Sequence, residues 1–141
     1  MYDAIVVGAR CAGSPTAMLL ARRGYKILLL ERAMFPSDTL STHCIGRGLE
    51  RLKKWGLLEQ VLGINCPWIL KRTYTLGDFP LTFNEPVTDG VPVAYCPRRI
   101  TLDKILVDAA VGGGAELREG FTVHEVLFEG GKVSGIRGAA N

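Results

Sequence analysis

The sequence contains no C-x-x-C pair, and neither of its two histidines stands at zinc spacing from any of its four cysteines (Cys11, Cys44, Cys66, Cys96). No metal site is therefore expected, and the cysteines read as reduced thiols of a cytoplasmic protein, with Cys11 and Cys44 as buried, inert side chains. No basic segment or A-x-A-like cleavage site precedes Ala4, so no signal peptide is expected. Long apolar runs are also missing. The stretch from residue 4 to residue 30 is broken by Arg10, Arg22, Arg23 and Lys26, which excludes a simple transmembrane segment. The net charge of +3 is compatible with an anionic cofactor but too small to argue for nucleic acid. Internal repeats and low-complexity tracts are absent too. What remains is a chain of 141 residues, 48% of them apolar, which suits one core-forming domain.

The order of elements predicts an α/β fold. Ala4 to Val7 is a short apolar run ending at Gly8, the pattern of a strand buried on both faces. Ser14 to Arg23 reads as a helix with Pro15 in its first turn and Gly24 as its stop. Ile27 to Leu30 forms a second strand, closed by Glu31. After a polar loop, Arg47 to Trp55 reads as an amphipathic helix, with Leu49 and Leu52 on its apolar side and Gly56 beyond. Residues 65–98 look like a β insertion: strands at 72–76 and 80–83 joined at Gly77-Asp78, then a third from Val91 to Cys96. Thr101 is expected to cap a helix from Leu102 to Val111. A strand at 115–117 and a hairpin of 122–128 with 132–137 around Gly130-Gly131 follow.

Gly8-Ala9-Arg10-Cys11-Ala12-Gly13 occupies the G-x-G-x-x-G position between the first strand and the first helix, and Glu31 follows 23 positions after the first glycine. Strand, glycine turn, helix and terminal acid together are what a dinucleotide-binding βαβ unit requires. Gly8 permits the tight turn and Gly13 the close packing of helix on strand. The N–H groups of residues 12 to 14 are expected to face a pyrophosphate at the positive end of the helix dipole. Glu31 would accept hydrogen bonds from the adenosine ribose, and its charge disfavours a 2′-phosphate. Arg10 departs from the pattern at the middle glycine. Its side chain must point outward, either clear of the phosphates or flanking them as a cation. A turn and core helix with no nucleotide is the alternative reading.

The run from Glu31 through Phe35-Pro36-Ser37-Asp38-Thr39-Leu40-Ser41-Thr42-His43, the helix ending in Gly56-Leu57-Leu58, and Arg99-Ile100-Thr101-Leu102-Asp103 as an R-x-x-L-D signature share one pattern. They resemble FAD-dependent oxidoreductases of the p-hydroxybenzoate-hydroxylase type, in the branch of geranylgeranyl reductases and related flavin monooxygenases. The resemblance covers nearly the whole chain. It implies a Rossmann-type FAD-binding domain, a parallel sheet core with a β insertion and a β-hairpin. The cofactor residues implied are Gly8, Ala9, Arg10, Ala12, Gly13, Ser14, Glu31 and Arg32 for the ADP half, Arg99 for the pyrophosphate and ribityl chain, and Val123 for the adenine edge. Thr42 and His43 are placed toward the flavin, although a structural role for His43 is equally open.

The same family carries A-D-G and G-D motifs beyond the hairpin, together with a substrate-binding sheet. The chain ends at Asn141 without them. The expectation is thus a partial FAD-binding domain over residues 1–141, with its ADP-binding unit at 3–31, its insertion at 65–98, its helix and hairpin at 101–137, and the substrate domain absent. Such a piece is expected to be inactive alone, whether as a fragment or as a naturally short relative. The full-length activity implied is a monooxygenase or double-bond reductase, with NAD(P)H as transient reductant and a small apolar or aromatic substrate. The catalytic residues stay unassigned. A non-catalytic FAD- or ADP-binding module is the alternative, and an NAD-dependent dehydrogenase a weaker one. An exposed sheet edge near residues 132–137 is expected to invite self-association.

Overall fold

The computed structural model describes residues 1–40, 44–45, 47–88, 91–92 and 94–141. In chain order its elements are β1 (Ala4–Val7), α1 (Gly13–Ala21), β2 (Ile27–Leu30), β3 (Cys44–Ile45), α2 (Arg47–Trp55), α3 (Leu58–Leu62), β4 (Lys71–Leu76), β5 (Phe79–Asn84), β6 (Val87–Thr88), β7 (Val91–Pro92), β8 (Ala94–Tyr95), α4 (Arg99–Gly112), β9 (Glu116–Arg118), β10 (Phe121–Glu129) and β11 (Lys132–Ala140). They divide into two units, Met1–Ser37 with Leu102–Asn141, and Asp38–Thr101.

The first unit is built on a parallel sheet of order β1-β2-β9. All four residues of β2 are buried, as a central strand with an unbroken apolar run should be. β1 carries an equally apolar run, yet Ala4, Ile5 and Val6 are only half-buried and Val7 is 56% exposed. The expectation of burial on both faces fails there, and among the described residues β1 stands at the border of the sheet, with β2 on one side only. On α1, Ala17 and Met18 are fully buried. Burial of a side chain the size of Met18 is worth about 1.5–3 kcal/mol. Beyond the end of α4, Gly113 lies beside α1, where an added Cβ would come 3.4 Å from the Met18 side chain, an ordinary contact.

In the hairpin, β10 and β11 change register between Val123 and Glu125, a bulge at His124. Gly138 stands opposite Val123, and a Cβ there would meet the Thr122 carbonyl oxygen at 2.3 Å and the Phe121 ring at 2.5 Å. Only glycine allows so close an approach. The hairpin runs to Ala140, beyond the expected limit of residue 137.

In the second unit, Leu49 and Leu52 of α2 are buried together with Leu57, Leu58, Val61, Ala94 and Tyr95. α2 spans the expected residues and ends at Gly56, whose φ is +77°. The short helix α3 after the Gly-Leu-Leu turn was not anticipated. Tyr95 accepts the Cys66 N–H at 2.7 Å, and its ring lies 5.3 Å from that of Trp68. β4 and β5 form a ribbon with Tyr74, Leu76, Phe79, Leu81 and Phe83 exposed, and Thr73 bonded to Thr82 across it at 2.9 Å. Arg72 of this ribbon ion-pairs with the buried Glu85.

Two further expectations are corrected. α4 begins at Arg99 rather than Leu102, so Thr101 lies within its first turn instead of capping it; the helix starts as soon as Pro97 is passed. The strand expected from Val91 to Cys96 is two short pieces, β7 and β8. No helix among the described residues is long and apolar enough to cross a membrane.

Candidate functional site

The residues that join β1 to α1 form one wall of a cavity of about 510 Å3, which lies wholly within the first unit. Gly8 turns the chain with φ at +98°, a conformation that side-chain-bearing residues rarely adopt. Gly13 opens α1 directly against this turn. A Cβ there would stand 1.7 Å from the Gly8 carbonyl oxygen and 3.3 Å from Val6, so any side chain would force helix and strand apart. The two terminal glycines of the pattern are therefore demanded for different reasons, one by torsion and one by contact.

No side chain caps α1. Ser14 gives its N–H to the Arg10 carbonyl at 3.0 Å and its hydroxyl to the Ala9 carbonyl at 2.9 Å. It is fully buried, so it braces the loop from behind instead of offering its N–H to a ligand as expected. Pro15 has no N–H to offer. The N–H groups of Ala12 and Gly13, both on the cavity wall, are the ones that remain for an anion at the positive end of the helix. Ala9 is likewise fully buried and serves from below.

Glu31, at the end of β2, also lines the cavity and is 6% exposed. Its Oε2 accepts the Ala9 N–H at 2.9 Å and its Oε1 the Ala33 N–H at 3.1 Å. Each carboxylate oxygen keeps a further lone pair, so the residue can still accept from a ligand diol while it ties the glycine loop to β2. The spacing from Gly8 had suggested the ligand role alone. The loop-tying role becomes visible only when both strands are in place.

Arg10, at the middle-glycine position, has an ordinary backbone; among the described residues only Asn65 combines a side chain with a positive φ. Its guanidinium is held on three sides by residues that do not line the cavity. Nη1 donates to Asp103 Oδ2 at 2.7 Å, Nη2 donates to Ser37 Oγ at 2.7 Å, and the guanidinium lies 5.5 Å from the centre of the Phe35 ring. Asp103 is fully buried and also accepts from the Cys11 thiol, at 3.3 Å from its Oδ1. Cys11 is exposed, not the core residue expected.

Of the other expected residues, Arg32 and Val123 line the same cavity as Gly8, Arg10, Ala12, Gly13 and Glu31. Arg99 is the first residue of α4 and belongs to the second unit. Thr42 and His43 lie outside the described residues. Sequence reasoning missed Val7, Leu30, Phe121 and Thr122, which complete the wall. Thr122 opens the expected hairpin and Phe121 precedes it, but no spacing rule brings these residues beside the glycine loop. The contact arises because Phe121 donates its N–H to the Glu31 carbonyl at 2.9 Å. In the second unit, Arg98 ion-pairs with Asp38 and holds that carboxyl below its usual range.

Comparison with known proteins agrees with this geometry. The family described as FAD binding domain matches residues 1–139. A digeranylgeranylglycerophospholipid reductase from Methanothermobacter thermautotrophicus is 33% identical over 137 residues, covering 96% of this chain and 34% of the relative. A squalene monooxygenase from Candida glabrata is 28% identical, covering 91% of this chain and 24% of its own. Among solved structures, a myxobacterial chondrochloren halogenase, an FAD-dependent enzyme, superposes with a TM-score of 0.87 at 29% identity, over 97% of this chain and 32% of its own. The chain thus spans about a third or less of the length of these relatives.

Proposed function

Since this chain belongs to the FAD binding domain family, we propose that it holds the ADP half of FAD for a flavin-dependent oxidoreductase, either a double-bond reductase or a monooxygenase. The observation that carries the reading is the cavity wall itself. It combines a glycine turn too tight for any Cβ at Gly13 with a buried carboxylate, Glu31, that is hydrogen-bonded to the same turn. These residues suit an adenosine diphosphate: N–H groups of Ala12 and Gly13 for the pyrophosphate, Glu31 for the ribose hydroxyls, and the Phe121–Val123 segment for the adenine. When bound, the flavin supplies the redox chemistry, and the protein supplies position and electrostatics.

NAD(P)H as the transient reductant, and a small apolar or aromatic substrate, belong to the same proposal. They are supported by the reductase and the monooxygenase among the relatives. No residue of the chain is assigned as a catalytic acid or base. A second reading, a module that binds FAD or ADP without turnover, is favoured by one observation: the cavity is lined entirely by the first unit.

The test is the visible absorption of the purified chain, as isolated and after incubation with FAD and desalting. Retained oxidised-flavin absorbance that ADP displaces supports the cavity as the site. A colourless protein that also fails to bind ADP sinks the reading.

A further inference from the structure

An arginine at the middle of a glycine fingerprint poses a steric problem, because the backbone there must come close to the pyrophosphate. A long cationic side chain in that position can lie across the cradle or fold away from it. Here its guanidinium is bound by groups that do not line the cavity, and the means are specific. The fully buried Asp103 takes one end of the guanidinium and Ser37 the other, while the Phe35 ring lies alongside. Asp103 also receives the Cys11 thiol, so two successive loop residues are tied to one carboxylate on α4.

We propose that Asp103 is a positioning residue for the dinucleotide site: it clamps the Arg10 guanidinium among groups that do not line the cavity, so that the loop backbone stays open to a pyrophosphate. This inference rests on the cavity being an ADP site. A buried carboxylate is costly unless it is paired, and pairing it with Arg10 satisfies both groups at once. Freed from Asp103, the side chain must be re-ordered each time a phosphate enters, whereas a glycine at position 10 needs no clamp.

The experiment compares ADP and adenosine binding by calorimetry for wild type, Asp103→Asn, and Arg10→Gly combined with Asp103→Asn. ADP affinity should fall ~10-fold in the single variant, equivalent to about 1.4 kcal/mol. Adenosine, which lacks phosphates, should bind the same variant as it binds wild type, a selectivity that general loosening of the fold would not produce. Adding Arg10→Gly should restore ADP affinity to within about twofold of wild type. Unchanged or tighter ADP binding in Asp103→Asn overturns the clamp. So does a double variant as weak as the single one, which would make Arg10 a phosphate ligand. If Asp103→Asn does not fold, the double variant decides alone: near-wild-type ADP affinity supports the clamp, and a tenfold loss overturns it. Wild type that binds neither ADP nor adenosine overturns the ADP-site reading and the clamp with it. Wild type that binds ADP beside unaffected variants overturns the clamp only.

Discussion

At Gly13 the distance from an added Cβ to the Gly8 carbonyl oxygen, 1.7 Å, leaves no room for relaxation short of moving the helix. Gly13→Ala should therefore cost about 1–3 kcal/mol in a urea unfolding curve, the range for overpacked sites, and should abolish ADP binding. A variant with unchanged midpoint and affinity would mean that the turn is built differently. Glu31 separates two roles that share one carboxylate. Glu31→Ala removes the acceptor of the Ala9 N–H as well as the charge proposed to face the ribose. ADP-ribose affinity should fall by about 1–3 kcal/mol in that variant. Glu31→Gln keeps an acceptor for the loop, so its stability should stay nearer wild type while its affinity still drops. Isothermal calorimetry beside thermal unfolding of both variants separates the roles, and equal affinity in wild type and Glu31→Ala would remove Glu31 from the site.

β8 supplies the clearest case at the scale of an element. It is two residues long, yet Tyr95 is buried and receives the Cys66 N–H from the segment before β4. Burial pushes its phenol above the ordinary value of 10.0, because the phenolate is disfavoured away from water. The folded state thus holds this proton more tightly than the unfolded chain does. That stabilisation is fully present below pH 10 and is lost as the pH rises beyond it. Tyr95→Phe, which leaves the Cys66 N–H without its acceptor, should be less stable at neutral pH by about 1 kcal/mol. The gap between the two proteins should narrow as pH rises past 10, read from urea midpoints; a gap independent of pH would show that the phenol titrates alike in both states. The α4 start at Arg99 belongs at this scale too: the capping tendency of Thr101 is overridden once Pro97 has passed, because Arg99 and Ile100 are compatible with helix.

On the scale of the whole chain, the sheet of the first unit has an unusual border. β9, one edge, carries Glu116 and Arg118, which ion-pair with each other at 2.8 Å. β1, the other, is Ala-Ile-Val-Val with no charge to discourage pairing. The self-association expected of residues 132–137 therefore has a stronger candidate in β1, since β11 carries Lys132 and Arg137. Sedimentation velocity should show species larger than the monomer growing with concentration, and a single monomer throughout the range would end the idea. Much of this architecture was legible beforehand. β1, β2 and α2 match their expected ranges, because each is a short segment whose periodicity and stop signal agree. The exposure of β1 was not legible: an apolar tetrad reads the same at the centre of a sheet as at its border.

The sequence by itself determined the dinucleotide loop. Gly8, Gly13 and Glu31 stand at fixed separations along a strand, a turn and a helix, and local chain geometry converts those separations into positions. It also determined the family, through motifs that survive as short runs. Only the tertiary structure decided what surrounds the loop. That Ser14 faces inward, that Phe121 and Thr122 close the cavity, and that Arg10 is clamped by an aspartate 93 residues away all depend on elements distant in sequence. Such pairings follow from how helices and strands pack, and a linear pattern carries no record of them.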